Sequence, residues 1–219
     1  AGGSGGRTLS YNNYNSGGGH GGFVIEGTYS LTQGTYSVNI PGYSEGFVSD
    51  SENNYINGYG YDGSACELQN SSGTTLIYSE GGNGSGSYHN VDSFRDEDYP
   101  DTYDSSFSFN GITYYRSSNN EGRGGYRFTD SVGKNGYAGK TVTSIPGISD
   151  IVLGGGGGTS GYYNNGTDST GPGFGGDGGG GKGGSRGSAL SSTNYGTNHL
   201  GGGGGGGSYF TETTYSRGG

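Results

Sequence analysis

The chain has no methionine, no tryptophan, one cysteine and four prolines in 219 residues. It also holds only four alanines and seven leucines. Those shortages exclude a helical bundle, which needs a sustained apolar stripe at 3.6-residue spacing and loses about 1 kcal/mol at each helical glycine. Basic residues are scarce as well. Ten Lys and Arg against 19 Asp and Glu leave a net charge of −9. A nucleic-acid backbone and an anionic membrane surface both repel such a chain. No apolar run approaches the roughly 18 residues of a membrane-spanning helix. Cys66 stands alone, so no internal disulfide and no cysteine metal site is expected. It reads as a small half-buried side chain, with pairing between chains as the alternative. Ala1 in place of Met is the start expected of a processed product or a fragment.

What the chain does have is glycine, 57 residues, and tyrosine, 21 residues. Hydrophobic residues amount to 26%, and tyrosine is more than a third of them. Burying so few apolar side chains cannot offset the entropy of ordering the whole backbone. Either much of the chain is disordered, or backbone packs against backbone and against other copies.

Glycine is uneven along the chain. Residues 154–219 hold 28 and residues 1–153 hold 29, with runs at 17–19, 154–158, 178–181 and 201–207. Between residues 23 and 153 short β-branched and aromatic runs alternate with turn residues. They lie at 23–25, 28–32, 35–40, 74–78, 106–115, 126–129, 141–145 and 150–153, with one more at 208–214. A seven-residue echo, residues 27–33 followed by 34–40, suggests two strands turning at Gln33-Gly34. Val38/Ile40 and Phe107/Phe109 alternate with polar neighbours, as in a sheet with one wet face. The expected organisation is a glycine-rich segment at 1–22, a β-sandwich-like part at 23–153, and a glycine-helix bundle with loops and a closing strand at 154–219.

A run of seven glycines has two readings. One is a flexible linker. The other is the threefold extended helix of the polyproline II type, whose backbones can approach closely enough to hydrogen-bond with one another when no side chain intervenes. Interruption of the runs by Tyr, Phe and Asn rather than by Ser and charge favours the second.

Residues 18–38 (GGHGGFVIEGTYSLTQGTYSV) and 201–211 (GGGGGGGSYFT) resemble the entry and exit of the glycine-rich domain family. Members occur in anaplastic-lymphoma-kinase-type receptor ectodomains and in bacterial and protist surface proteins, and T-even phage tail-fibre adhesins use a similar glycine bundle. The resemblance implies an all-β fold without α-helix of note. A small jelly-roll-like β-sandwich is joined to a bundle of polyglycine-II-type extended helices, and in the adhesins the bundle holds receptor-binding loops.

Catalytic and metal motifs are weak. Residues 176–182 have G-x-x-x-x-G-K spacing but continue with Gly183, and Gly139-Lys140-Thr141 lacks the first glycine of a phosphate loop. Gly2-Gly3-Ser4-Gly5-Gly6 matches a nucleophile elbow only literally. His20, His89 and His199 are far apart and read as turn or loop residues. The acidic stretch Asp92, Asp96, Glu97, Asp98, Asp101 and Asp104 reads as a solvated loop, with calcium as the alternative. Asn70, Asn83 and Asn165 begin N-x-[ST] sequons. No enzyme activity and no cofactor are expected.

Two clusters between glycine runs combine rigid aromatic area with adaptable polar groups, the mixture of binding loops. They are Tyr162, Tyr163, Asn164 and Asn165, and then Tyr195, Asn198 and His199. The alternative is that they fill turns. The reading is a non-enzymatic extracellular structural protein that self-assembles into a surface fibre through glycine-rich and Tyr-rich packing. Its partners are then copies of itself, without nucleic acid or membrane insertion. The alternative is an adhesin at the tip of a phage tail fibre or cell appendage, exposed on a cell or virion surface and binding a receptor or glycan.

Overall fold

The computed structural model describes residues 2, 3, 5, 17–42, 48–49, 58–85, 103–125, 135–144, 147, 149–160, 162–164, 167–184, 195–197 and 200–206. Among them there is no helix, and the strands are short and antiparallel, so the fold is all-β. In chain order they are β1 (Tyr36–Asn39), β2 (Val48–Ser49), β3 (Gly58–Tyr59), β4 (Cys66–Asn70), β5 (Thr75–Ser79) and β6 (Ser106–Phe109). Then come β7 (Ile112–Tyr115), β8 (Lys140–Val142), β9 (Ile151–Leu153), β10 (Tyr162–Asn164) and β11 (Thr167–Thr170). They form a three-stranded sheet in the order β1-β4-β5 and four hairpin-like pairs, β2-β3, β6-β7, β8-β9 and β10-β11.

Turn chemistry explains two of these. Asn110 and Gly111 both take positive φ, 49° and 75°, as a two-residue hairpin turn requires, and this sets Phe109 opposite Ile112. Between β4 and β5, Asn70 Oδ1 accepts from the backbone N–H groups of Ser72 (3.1 Å) and Thr74 (2.9 Å) and from the Ser72 hydroxyl (2.7 Å). The expected turn at Gln33-Gly34 is a bend, but residues 28–32 are not a strand. β1 pairs with β4 instead, across 26 intervening residues. The expected runs at 126–129 and 208–214 lie outside the described residues.

The side-chain core is small. Phe23, Phe107 and Val142 are its buried apolar residues among those described. Phe107 meets Phe23 edge-on at 4.9 Å and stacks on Tyr114 at 5.1 Å, while Tyr78 of β5 stacks on Phe109 at 5.3 Å. The expected wet and dry faces hold for Phe107. They fail for Val38 and Ile40, which are 68% and 64% exposed.

The larger core is backbone. Residues 154–160 are all buried, and five of the seven are glycine. This segment exchanges N–H···O bonds with six neighbouring segments. It donates to Gly178 and Gly181, to Tyr137, to Gly19 and to Leu200, and accepts from Gly173 and Gly176, from Gly125, and from Gly203 and Gly206. The partners have a three-residue period. In 17–23, Gly18 and Gly21 donate to the 122–125 stretch, Gly19 and Gly22 to Gly204 and Gly201, and His20 and Phe23 to Asn83 and Glu80. The same period marks the rim, where Phe174 and Asp177, three apart, are both exposed. Such contacts demand glycine. A Cβ on Gly157 falls 2.1 Å from the carbonyl oxygen of Gly204, and one on Gly156 falls 2.0 Å from that of Arg123.

The substitution Gly157→Ala is expected to cost at least about 3 kcal/mol, because backbone must move on a fully enclosed side. Gly27→Ala, whose Cβ meets nothing within 4 Å, is expected to change stability by less than about 1 kcal/mol. Thermal unfolding of both variants by circular dichroism checks the pair; equal midpoints refute the backbone core.

Candidate functional site

Hydrogen-bond register gives the glycine array two ends. Residues 178–184 and 201–206 run with 154–160, as Gly155→Gly178, Gly158→Gly181, Gly203→Gly155 and Gly206→Gly158 show. Residues 173–177 run against it, through Gly173→Thr159 and Gly176→Gly156, and 17–23 runs against 201–206. Residues 23, 80, 122, 139, 154, 177 and 201 therefore share one end, and 17, 85, 125, 136, 160, 173, 184 and 206 share the other.

The first end carries the strands β1, β4, β5, β8 and β9, all reached from residues 23, 63, 80, 139 and 154. The opposite end carries the β10-β11 hairpin, which leaves after Ser160 and returns before Gly173, and the β2-β3 pair, which leads into Gly60 beside Ser85.

This separates the two clusters singled out in the sequence. Tyr162, Tyr163 and Asn164 form β10, paired with β11 through Tyr162↔Thr170, Tyr163↔Asp168 and Asn164↔Thr167, with an irregularity between Tyr162 and Tyr163. Asn165 lies outside the described residues. Tyr195 is half-buried and stands two residues before Thr197, whose N–H donates to Gly179 at the strand end. Asn198 and His199 lie outside the described residues. The structure thus does not bring Tyr195 to the hairpin of Tyr162 and Tyr163.

Residues not singled out as a site form the tightest polar cluster. Arg116, 7% exposed, donates from Nε to the Asp104 carbonyl (2.9 Å), from Nη1 to that of Glu121 (3.2 Å) and from Nη2 to that of Gly21 (2.7 Å). Its guanidinium lies 3.9 Å above the Phe23 ring and 5.2 Å from Tyr103. Burial pulls its pKa down, and Tyr103, Glu121, Asp104 and Glu80 oppose that pull. One side chain thereby ties the β6-β7 hairpin to two glycine segments. The Glu121 carboxylate accepts from the Ser117 backbone N–H (2.7 Å) and from the Ser117 hydroxyl.

His20, expected in a turn or loop, is instead 1% exposed. Its Nδ1 accepts from the Gly124 N–H at 2.8 Å, and its ring meets Tyr103 edge-on at 5.3 Å. A bulky residue inside Gly18-Gly19-His20-Gly21-Gly22 was the available sequence signal. Asn83, the second sequon asparagine, donates its amide to Asp104 at 2.8 Å and accepts the His20 N–H on its carbonyl at 2.9 Å. Of the acidic stretch, only Asp104 is described, and it is taken up by Asn83 and Arg116.

Chemically, these groups position backbone. Among the described residues no cluster of three His, Cys, Asp or Glu side chains could hold a metal ion. No helix among them is long and apolar enough to cross a membrane. No family model, curated protein or solved structure matches the chain.

Arg116→Ala removes three hydrogen bonds to backbone carbonyls, two of them buried, and is expected to lower stability by about 3 kcal/mol, read as a lower urea midpoint. Arg116→Lys recovers little of it, because an ammonium cannot span the same fork.

Glu80 has a raised pKa, first from burial and then from Asp104 and Asp62, with Arg116 opposing. A folded value above the unfolded one means that the ionised carboxylate costs stability, a cost absent below the unfolded value and complete above the folded one. Glu80→Gln is therefore expected to raise the urea midpoint at pH 7, by no more than about 0.5 kcal/mol for a partly solvated group, and to leave it unchanged at pH 3.5.

Proposed function

We propose that this protein is a non-enzymatic extracellular recognition unit, in which a bundle of polyglycine-II-type extended helices holds binding loops at one end. The observation that carries the reading is the sorting of chain departures in the glycine array, with the β10-β11 hairpin and the β2-β3 pair leaving from the end opposite most of the strands. The three-residue period of the backbone donors supports threefold extended helices, for which three residues make a turn. Contacts of Tyr78 with Phe107 and Phe109 support a small sandwich of β1-β4-β5 on β6-β7. The resemblance to the glycine-rich domain family and to phage adhesins agrees with a cell-surface or virion-surface setting. The ligand class is a receptor or its glycan, met by Tyr and Asn at the hairpin.

A second reading, self-assembly into a surface fibre, is favoured by Tyr61 and Tyr137, each 47% exposed, and Phe174, 62% exposed, all on the rim of the glycine array. Electron microscopy of the purified protein separates the two: filaments for the fibre, discrete particles for the adhesin.

Replacing Tyr162 and Tyr163 together by Ser is expected to lower binding to target cell surfaces at least tenfold, measured by flow cytometry of labelled protein, with an unchanged melting temperature. Tyr195→Ser, at the other end, is expected to leave binding intact. Equal loss in both variants, or none in the double variant, overturns the loop-end assignment.

A further inference from the structure

The three-stranded sheet ends in an open edge. β1 bonds to β4 on one side only, and among the described residues no backbone group of 36–40 has a partner on the other side. The edge lacks the usual protection. Residues 36–40 (Tyr-Ser-Val-Asn-Ile) carry no charge and no proline before Pro41, and Ser37 to Ile40 are all exposed. The register sets Val38 beside Leu68 and Leu68 beside Ile77, so one face of the sheet carries an apolar row that stops abruptly at Val38, 68% exposed.

The geometry points to a closed two-fold dimer in which β1 pairs antiparallel with β1 of a second copy, centred on Val38. With the axis at Val38, Tyr36 faces Ile40 of the other copy, Ser37 faces Asn39, and Val38 faces Val38. Aromatic meets β-branched on one face and hydrogen-bonding side chains meet on the other. The apolar row becomes continuous, Ile77-Leu68-Val38 followed by Val38-Leu68-Ile77 of the second copy. Self-pairing of this uncharged edge brings no two carboxylates together, although each copy has a net charge of −9. Glu67, on the opposite face beside Asn39, falls in a different row from its symmetry mate, roughly 16 Å away by strand spacing, beyond the Debye length of about 8–10 Å.

The interface is isologous, so it closes at two copies and does not grow into a filament. Five residues a side is small beside the roughly 1,200–2,000 Å² of stable complexes, so the dimer is weak and concentration-dependent. It leaves the loop end of both copies free and is independent of what those loops bind.

The test is sedimentation equilibrium from 10 to 500 µM. Wild type is expected to pass from monomer to dimer across that range, with no species larger than the dimer attributable to this edge. Val38→Lys sets two like charges face to face at a position already exposed in the monomer, and is expected to weaken dimerisation at least tenfold. Register is tested separately in the Cys66→Ser background. Val38→Cys is expected to give a covalent dimer on mild oxidation, whereas Asn39→Cys, which faces Ser37 rather than itself, is expected to give little. This pair also decides the matter if the lysine variant does not fold. A wild type that stays monomeric at 500 µM, a dimer indifferent to Val38→Lys, or equal cross-linking of the two cysteine variants overturns the assignment.

Discussion

Everything in this molecule depends on how closely one backbone can approach another. A β-strand hydrogen-bonds with two neighbours because its N–H and C=O groups point in one plane. Residues 154–160 do so with six, because successive N–H groups point in different directions and no Cβ keeps the surrounding segments apart. The distances leave no room for compromise: a Cβ on Gly18, Gly81 or Gly183 falls 2.1, 1.8 or 1.8 Å from a neighbouring carbonyl oxygen. An array of this kind pairs its backbone polar groups through geometry alone, so a chain that is 26% hydrophobic still has a buried interior.

That constraint dictates where side chains are allowed. Large side chains gather at the rim, as with Tyr61, Tyr137 and Phe174, or at places where the array opens, as with His20 and Arg116, while the small Thr159 and Ser160 are enclosed within it. Arg116 is the clearest case. A guanidinium that reaches three carbonyls and two aromatic rings fastens the β6-β7 hairpin to the array. A cation suits the site because the array offers it carbonyl oxygens and aromatic faces, both electron-rich. The ends of the array are then where irregular chain is cheapest, since backbone there can bond to water instead of to a neighbour.

Much of this was legible in the residues. Composition excluded helices, and the runs at 154–158 and 201–207 marked segments whose backbones would be in contact. The single run expected at 106–115 is two strands, β6 and β7, turning at Asn110-Gly111, and β1, β5, β8 and β9 fell close to the expected runs. β4 was missed, because Cys66-Glu67-Leu68-Gln69-Asn70 has one large apolar residue and takes its strand geometry from its two partners. Val38 and Ile40 carry the alternation of a half-buried strand, yet they are exposed, because alternation records which residues share a face and not whether another layer covers it.

The sequence by itself determined that the described residues hold no helix and only short strands, that the glycine runs are where backbones are able to meet, and that Tyr and Asn gather in the connections. These follow from local chemistry: which residues lack a Cβ, which tolerate positive φ, and which cannot hold a helix. Only the tertiary structure decided which glycine segment lies beside which, and in which direction. Glycine has no side chain to distinguish one neighbour from another, so a run of glycines does not encode its partner. The choice falls to the folded ends and to anchors such as Phe23 and Arg116. From those directions came the two ends of the array, and with them the separation of Tyr195 from Tyr162 and Tyr163.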